Sequence, residues 1–279
     1  MNMHSSTPPT TGSLLERAAA AYGFDDVATA QQMGAAAMLR ADHGGEVAVE
    51  ELRENGYLLP DAPVTALAEE FRIVKRQLLL AAEANDRARL VMIASAAPDE
   101  GKTFCAVNLA LSIAAERDTE VLLVDADFAK PEVLSTLGLA NGPGLMDAIV
   151  DRTLDVESCV IRTSIPHLAV LPAGKPHNDA TELLASDRMR EVLDRILTSH
   201  PSRMVIFDTP PTLAASVASE LALHVGQVLM VVRADTTGEA GLRDALGLLA
   251  GCDQIRLLLN RVRFAPSGSR FGAYYGYGN

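Results

Sequence analysis

A short polar loop, APDEGKT, follows the apolar run RLVMIAS and precedes the helix-like stretch FCAVNLALSIAAE. In such a unit, successive backbone N–H groups and the helix N-terminus point at one anion. Gly101-Lys102-Thr103 ends like a phosphate-binding loop, in which the Lys102 ammonium would contact the β- and γ-phosphates and the Thr103 hydroxyl would bind Mg²⁺. Ala96 replaces the first glycine of the common pattern, and Asp99 places a carboxylate beside the predicted phosphates. For the loop alone, an ordinary glycine-containing turn is the alternative.

Carboxylates stand at the ends of two further apolar runs. The run MVIFD ends on Asp208 and has the form of a Walker B element, whose carboxylate orders the water shell of Mg²⁺. The run VLLVDAD supplies Asp125 and Asp127, which lie on the same side of an extended segment because they are two residues apart. A single aspartate of this kind is often only a helix cap. Three of them together with a GKT loop predict a binding site for Mg-nucleotide.

Six apolar runs must position these residues, and helix-length segments such as 102–116, 181–199 and 237–250 separate most of them. The runs cover residues 89–95, 121–127, 168–174, 203–211, 227–233 and 255–260. This alternation predicts an α/β fold, a P-loop NTPase with a mostly parallel twisted sheet and helices on both faces. Ligands of such sheets bind beyond the carboxyl ends of the strands. The chemistry is therefore expected at Ser95, Asp125, Asp127, Asp208 and Asn260.

The chain of 279 residues divides into three parts by composition. Residues 1–64 are predicted to form a partly disordered, partly helical segment, and residues 65–263 a P-loop domain that begins with an amphipathic helix over 65–85. Residues 264–279 read as a flexible tail that carries Tyr274, Tyr275 and Tyr277. The glycines between these tyrosines would let the tail enter an active site with little steric opposition. A sticky aromatic adaptor segment is the alternative for the tail.

Composition excludes several classes of function. The 24 Lys and Arg residues face 36 Asp and Glu, which gives a formal charge of −12 and argues against a broad nucleic-acid surface. The three cysteines fit neither a disulfide framework nor a zinc pattern, so buried thiols in a reducing compartment are expected. No signal peptide and no run of 18 apolar residues is present in the sequence. These features favour a cytoplasmic protein without a nucleic-acid partner.

The motifs resemble those of the bacterial tyrosine kinases that control exopolysaccharide synthesis. APDEGKT resembles their Walker A element, VLLVDADFAKP their Walker A′ element and VIFDTPP their Walker B element. EEFRIVKR resembles their oligomerisation helix, and LPAGKPHNDATELLASDRM resembles the segment between A′ and B. Together with LRENGYLLPD, the resemblance covers about residues 50–279 and is strongest to the soluble autokinases of exosortase-type polysaccharide loci.

This resemblance implies an ATP-dependent protein-tyrosine kinase that phosphorylates its own C-terminal tyrosine cluster in trans, with ATP and Mg²⁺ as cofactors. Its catalytic residues would be Lys102, Asp125, Asp127 and Asp208, and Mg²⁺ would be held by Thr103, Asp125 and Asp208. The roles of metal ligand and proton acceptor stay open between the two A′ aspartates. The nucleotide-binding residues would be Asp99, Glu100, Gly101, Lys102, Thr103, Phe104, Arg233 and Asn260. For Arg233 and Asn260, hydrogen bonding at buried strand ends is the alternative.

The resemblance also implies partners. Glu69, Arg72 and Lys75 match an E-x-x-R-x-x-R contact motif of a homo-oligomeric ring, except that lysine lacks the planar fork of arginine at the last position. A solvated helix face is the alternative for these three charges. A separate inner-membrane chain-length protein would recruit the kinase to the cytoplasmic face of the membrane, and a tyrosine phosphatase would reverse the modification.

Two rival functions use the same phosphate loop. One is a ParA/MinD-like ATPase switch, which usually carries an additional lysine at the position of Ala97; that alanine, the acidic charge and the tyrosine tail count against it. The other is an ATP-binding scaffold with weak catalysis, with which Asp99 is compatible.

Overall fold

The computed structural model describes residues 45–61, 63 and 65–262 of the chain. Seven strands form one sheet: β1 (Leu90–Ser95), β2 (Val121–Asp125), β3 (Ile161–Arg162), β4 (Leu168–Leu171), β5 (Met204–Asp208), β6 (Gln227–Arg233) and β7 (Ile255–Asn260). The helices of these residues are α1 (Val49–Glu54), α2 (Ala66–Ala84), α3 (Lys102–Ala114), α4 (Val133–Leu137), α5 (Leu145–Val150), α6 (Ala180–Leu184), α7 (Asp187–Ser199), α8 (Val217–Ala222) and α9 (Glu239–Leu248).

The strands follow the order β3-β4-β2-β5-β1-β6-β7. All neighbouring pairs are parallel except β3 and β4, which are antiparallel. All six apolar runs of the sequence contain strands, so the predicted α/β fold with a mostly parallel sheet is confirmed. Strand β3 was not predicted, because two residues carry no periodic signal. The predicted helix over 181–199 is two helices, and the Ser186 side chain caps the second by accepting a hydrogen bond from the Met189 N–H.

Helices cover both faces of the sheet, as predicted. The central strands β1, β2 and β5 are buried along their whole length, because each face meets its own hydrophobic cluster. On one face, α5, α6, α7, α8 and α9 pack against the sheet. On the other face, α1, α2, α3 and α4 do so. This enclosure leaves the carboxyl ends of the strands open for the polar side chains of a binding site.

The helix predicted over residues 65–85 is α2. The Thr65 hydroxyl caps its start by accepting from the Ala68 N–H, and Phe71 and Leu78 are the residues that it buries. Buried apolar residues at helical spacing on one side of a helix are what the amphipathic pattern predicted.

Residues 45–61, which we call the N-terminal clasp, pack on the same face of the sheet. The Tyr57 ring packs on the ring of Phe104 with 5.2 Å between centroids. The Leu58 N–H donates to Asn108 Oδ1 at 2.8 Å, and the Ala48 N–H donates to the Leu137 carbonyl at 3.0 Å. The clasp therefore ties α3 to α4, and the packed unit that contains the sheet extends back to Gly45.

A cluster of charges lies at the amino ends of β2 and β5, opposite the predicted site. Arg203 is fully buried and bonds two glutamates, Glu120 at 2.7 Å and Glu157 at 2.6 Å. His200 lies 3.1 Å from Glu120. A buried arginine with two carboxylates is satisfied only while all partners are present.

Two further expectations concern residues that the structure describes. Cys105, Cys159 and Cys252 are free and buried, as expected of structural thiols. In the described part of the chain, none of the helices combines the length and the apolar character needed to cross a bilayer.

Candidate functional site

The predicted site lies where β1, β5 and β2 end side by side. Asp125 and Asp208 are register partners on adjacent parallel strands. The loop of residues 96–101 leaves β1, the neighbour of β5 on its other side, and leads into α3. The carboxyl ends of three central strands thus bring together the loop and the acidic residues that the sequence singled out.

The loop holds Gly101 and Asp99 in left-handed conformations. Gly101 has φ +97°, which favours glycine, and a Cβ at this position would lie 2.3 Å from Asn260 Nδ2, so that side chain would have to shift. Asp99 has φ +62° and is exposed, and its carbonyl accepts a 3.4 Å hydrogen bond from Arg233 Nη1. Lys102 begins α3 and is 9% exposed. Backbone of this kind directs successive N–H groups to one side, as phosphate binding needs.

Glu100 fixes the shape of this loop from inside. Its side chain is buried, and Oε2 accepts a 3.0 Å hydrogen bond from the Ala97 N–H. Its Oε1 accepts from the hydroxyl of Thr237, which itself accepts from the Arg233 N–H at 2.9 Å. The sequence analysis missed the support that Thr237 gives to this loop, since nothing near it in sequence indicates a partner in a loop far earlier in the chain.

Asp208 and Thr103 form the centre of the site. The Thr103 hydroxyl donates to Asp208 Oδ2 at 2.7 Å. Oδ1 of Asp208 is buried and has no hydrogen-bond partner among the described residues. Burial raises the pKa of Asp208 to about 7; the Thr103 hydroxyl opposes this, and the charge of Asp125 adds to it. Hard oxygen donors with an unsatisfied carboxylate oxygen fit Mg²⁺, which is held by few protein ligands plus phosphates and waters.

Asp125 and Asp127 follow on β2. Asp125 is 1% exposed, and its two oxygens accept from the backbone N–H groups of Asp127 at 3.2 Å and Val133 at 3.0 Å. Burial raises its pKa to about 6. Asp127 is half-buried and accepts from the Lys130 N–H at 3.1 Å; burial also raises its pKa, and the nearby Lys102 lowers it. Two carboxylates with elevated pKa beside a lysine can bind a cation or accept a proton.

Other predicted nucleotide residues make contacts within the chain. Asn260 Nδ2 donates to the Glu100 carbonyl at 2.9 Å, and its Oδ1 accepts from the Arg261 N–H at 2.8 Å. The Nδ2 half of the amide thus supports the loop and the Oδ1 half bonds the residue that follows the strand, which matches the alternative of strand-end hydrogen bonding. The Phe104 ring packs on Tyr57 in the N-terminal clasp.

The predicted oligomerisation residues on α2 also have partners within the chain. Glu69 pairs with Arg72. Lys75 is 12% exposed at its side chain and pairs with Glu116 at 2.6 Å, while donating to the Ser112 carbonyl at 3.0 Å. The predicted acceptors Tyr274, Tyr275 and Tyr277 lie outside the described residues.

Comparison with known proteins shows that the chain is similar to bacterial tyrosine-protein kinases. A family described as "AAA domain" matches residues 88–260. Tyrosine-protein kinase YwqD of Bacillus subtilis (strain 168) is 32% identical over 216 residues, which are 77% of this chain and 88% of that protein. Putative tyrosine-protein kinase EpsB of Ralstonia nicotianae is 33% identical over 78% of this chain, but over only 29% of its own length.

The solved structures that resemble this chain include the kinase domain of a bacterial tyrosine kinase. The kinase domain of Escherichia coli tyrosine kinase ETK superimposes with a TM-score of 0.68 at 26% identity and covers 81% of this chain and 91% of that domain. The MinC:MinD cell division protein complex of Aquifex aeolicus reaches a TM-score of 0.51 at 18% identity, covering 62% of this chain and 69% of that one. The latter likeness concerns the fold alone.

Proposed function

The chain belongs to the AAA domain family of bacterial tyrosine-protein kinases, and on this premise we propose that it is an ATP-dependent protein-tyrosine autokinase. One observation supports the proposal most directly: the Thr103 hydroxyl donates to a buried Asp208 whose second oxygen has no hydrogen-bond partner among the described residues, beside a left-handed glycine and Lys102. Such a donor set suits the metal and the terminal phosphates of Mg-ATP.

In this proposal, different side chains of the chain would bind the phosphates, hold Mg²⁺ and accept the proton. Lys102 would hold the β- and γ-phosphates, and Thr103 and Asp208 would orient Mg²⁺, with Asp125 as a further contact. Mg²⁺, when bound, would neutralise charge on the phosphate oxygens. The tyrosine oxygen would form a bond to the γ-phosphorus while the bond between that phosphorus and the β,γ-bridging oxygen breaks, releasing ADP. Asp125 or Asp127 would accept the phenolic proton, because a free tyrosine has a pKa near 10.

The acceptors would be Tyr274, Tyr275 and Tyr277 of a neighbouring copy in a homo-oligomeric ring. The resemblance to the exopolysaccharide kinases supports this part of the proposal, as does the glycine-rich sequence around the three tyrosines. By the same resemblance, the kinase would regulate polysaccharide polymerisation or export, with an inner-membrane chain-length protein as its activator at the cytoplasmic face and a phosphatase as its antagonist.

The proposal is tested by incubating the purified chain with Mg-ATP and mapping phosphate by mass spectrometry, with Lys102→Met in parallel. We expect phosphate on Tyr274, Tyr275 or Tyr277 in the parent and none in the variant. ATP hydrolysis with unmodified tyrosines, unchanged when the cytoplasmic part of a membrane partner is added, would instead favour the ATPase switch. Nucleotide binding without turnover would favour the scaffold.

A further inference from the structure

Strand β7 lies at one edge of the sheet and, among the described residues, pairs with β6 alone. We propose that residues 270–277 of the same chain pair with the outer edge of β7 as an antiparallel eighth strand. The pairing itself does not depend on the proposed kinase function. Its effect on the acceptor tyrosines rests on that function.

The hydrogen bonds between β7 and β6 show which backbone groups face the outer edge. The carbonyls of Gln254 and Asn260 accept from an N–H group of β6 and from that of the residue after β6, at 2.8 and 2.9 Å. Because backbone groups alternate in direction along a strand, the even-numbered residues of β7 face β6. The N–H and C=O groups of Leu257 and Leu259 therefore point outward, where a further strand can bond them.

The same two leucines expose apolar side chains. Leu257 is 59% exposed and Leu259 is 60% exposed. They are the register partners of Met230 and Val232, so they continue the face of the sheet on which α9 packs. Large apolar side chains on an open strand edge promote pairing with other strands unless something covers them. The edge thus favours a partner strand that has an apolar face.

The segment that follows β7 has the sequence pattern of such a strand. In the stretch RFGAYYGY over 270–277, Phe271, Ala273, Tyr275 and Tyr277 occupy every second position, and two of the three residues between them are glycine. Apolar residues at every second position indicate a strand with one apolar face. Aromatic side chains are favourable cross-strand neighbours of aliphatic ones.

The connection between β7 and this segment is long enough to reverse the direction of the chain. Arg261 has φ +56°, so the backbone leaves the direction of β7 directly after the strand. Residues 261–269 include Pro266 and Gly268, which favour turns. A connection of this length reaches about 30 Å when extended, whereas adjacent strands lie about 4.8 Å apart. It suits an antiparallel neighbour, because a parallel one needs a crossover of about a dozen residues or more.

Such pairing would withhold the acceptor tyrosines from a neighbouring active site. Glycines inside a strand weaken it, so the segment would leave the edge at little cost. When a phenolic oxygen then bonds to the γ-phosphorus of ATP and ADP leaves, the modified tyrosine carries about −1.5 to −2 charges. Those charges would lie against the apolar side chains of Leu257 and Leu259, so the phosphorylated segment would not return to the edge.

Hydrogen exchange of the β7 amides, measured by NMR on the full chain without ATP, tests the pairing. The amides of Leu257 and Leu259 should be protected although they point away from β6. Adjacent residues of a strand point in opposite directions, so one of the two variants Ala273→Pro and Tyr274→Pro removes an N–H that faces β7. That variant should speed exchange of both amides roughly tenfold. Ser267→Pro in the connection is the matched control and should leave their exchange unchanged.

The even-numbered amides of β7 face β6 and should stay protected in every variant, which confirms that the sheet is intact. Fast exchange of the Leu257 and Leu259 amides in the parent would overturn the pairing, and so would protection that neither proline in the segment changes. Protection that disappears on dilution would assign the strand to a second copy and overturn pairing within one chain.

A second measurement follows incubation with Mg-ATP. Phosphorylation of Tyr274, Tyr275 and Tyr277 should make the Leu257 and Leu259 amides exchange fast. Slow exchange in the fully phosphorylated chain would overturn the release of the segment. Protected amides in a chain that modifies none of its tyrosines would leave the pairing standing and contradict the kinase function.

Discussion

The hydroxyl of Thr237 donates a hydrogen bond to the buried carboxylate of Glu100, 137 residues earlier in the chain. The other oxygen of that carboxylate holds the Ala97 N–H. The segment after β6 thus supports the conformation of the loop after β1, and we expect Thr237 to influence nucleotide affinity through this loop.

Thr237→Val removes this hydrogen bond and leaves a buried carboxylate oxygen without its donor. Such a loss costs about 1–3 kcal/mol, and we expect the Kd for Mg-ADP to rise roughly tenfold, which corresponds to about 1.4 kcal/mol. Thr237→Ser keeps the hydroxyl and should bind as the parent does. Isothermal titration calorimetry on the three proteins measures this, and equal affinities for Val and Ser would show that the loop keeps its shape without Thr237.

Asp208 should make the nucleotide-free protein less stable at high pH than at low pH. Its folded-state pKa is raised to about 7, whereas an unfolded aspartate titrates near 3.8. The folded state therefore holds a proton that the unfolded chain has lost between these two values. The free energy of unfolding should fall as the pH rises through this window, and the full penalty should be present above pH 7, on the order of 4 kcal/mol.

Asp208→Asn should remove this penalty while abolishing phosphoryl transfer. Asn keeps an oxygen for the Thr103 hydroxyl and carries no charge. We expect a higher Tm than the parent at pH 8 and a difference that shrinks towards pH 4.5, measured without Mg²⁺ or nucleotide. Some slope should remain, since the pKa of Asp125 is raised to about 6. Asp61→Asn at an exposed position is the control, and parallel curves for parent and Asp208→Asn would contradict the prediction.

Gly101→Ala should weaken Mg-ADP binding at least tenfold. The left-handed backbone costs a residue with a Cβ about 1–2 kcal/mol, and that Cβ would meet Asn260 Nδ2 at 2.3 Å. Adding Asn260→Ala relieves the clash but not the backbone strain, so the double variant should recover only part of the affinity. Gly247→Ala on α9, where a Cβ meets nothing within 4 Å, should bind normally. Full recovery in the double variant would mean that the backbone conformation itself is not strained.

Arg203→Met should destabilise the protein by about 3–5 kcal/mol, because Glu120 and Glu157 keep their charges without the buried partner. Arg195 offers a matched surface pair, since its side chain is 52% exposed and bonds Asp155 at 2.8 Å. Arg195→Met should cost at most about 1 kcal/mol. Urea unfolding of both variants measures the difference, and similar losses would show that the buried cluster contributes no more than an exposed ion pair.

Substitutions at Arg72 and Lys75 should have different effects, the first on assembly and the second on stability. Lys75 is engaged with Glu116 and the Ser112 carbonyl, so Lys75→Met should lower the Tm. Among the described residues, Arg72 forms its ion pair with Glu69 of its own helix, so Arg72→Met should reduce the mass of an oligomer with little change in Tm. Light scattering after gel filtration and thermal unfolding report the two effects. A loss of assembly in Lys75→Met at unchanged Tm would reverse this assignment.

The features that could be predicted from the sequence are those that depend on residues close to each other along the chain. Apolar runs became strands because the central sheet is buried on both faces, and the aspartates that end β2 and β5 lie together because parallel strands end at one edge. Thr237 could not be found in this way, since its partner Glu100 is adjacent only in the folded chain. The engagement of Lys75 within the chain was hidden for the same reason: helical spacing places a charge on a face but does not identify what packs there.

The N-terminal clasp determines where the chain can be shortened. Residue 65, which caps the start of α2, is an attractive place to begin a recombinant fragment. Cutting there would uncover the Phe104 ring and leave the Leu137 carbonyl and Asn108 Oδ1 without the backbone N–H groups that bond them. Phe104 and Asn108 lie on α3, which follows the loop of the site, and Leu137 lies on α4, which follows the acidic end of β2. A fragment for crystallography or inhibitor screening should therefore begin ahead of Gly45, and one that begins at the helix is expected to report weaker nucleotide affinity than the intact chain.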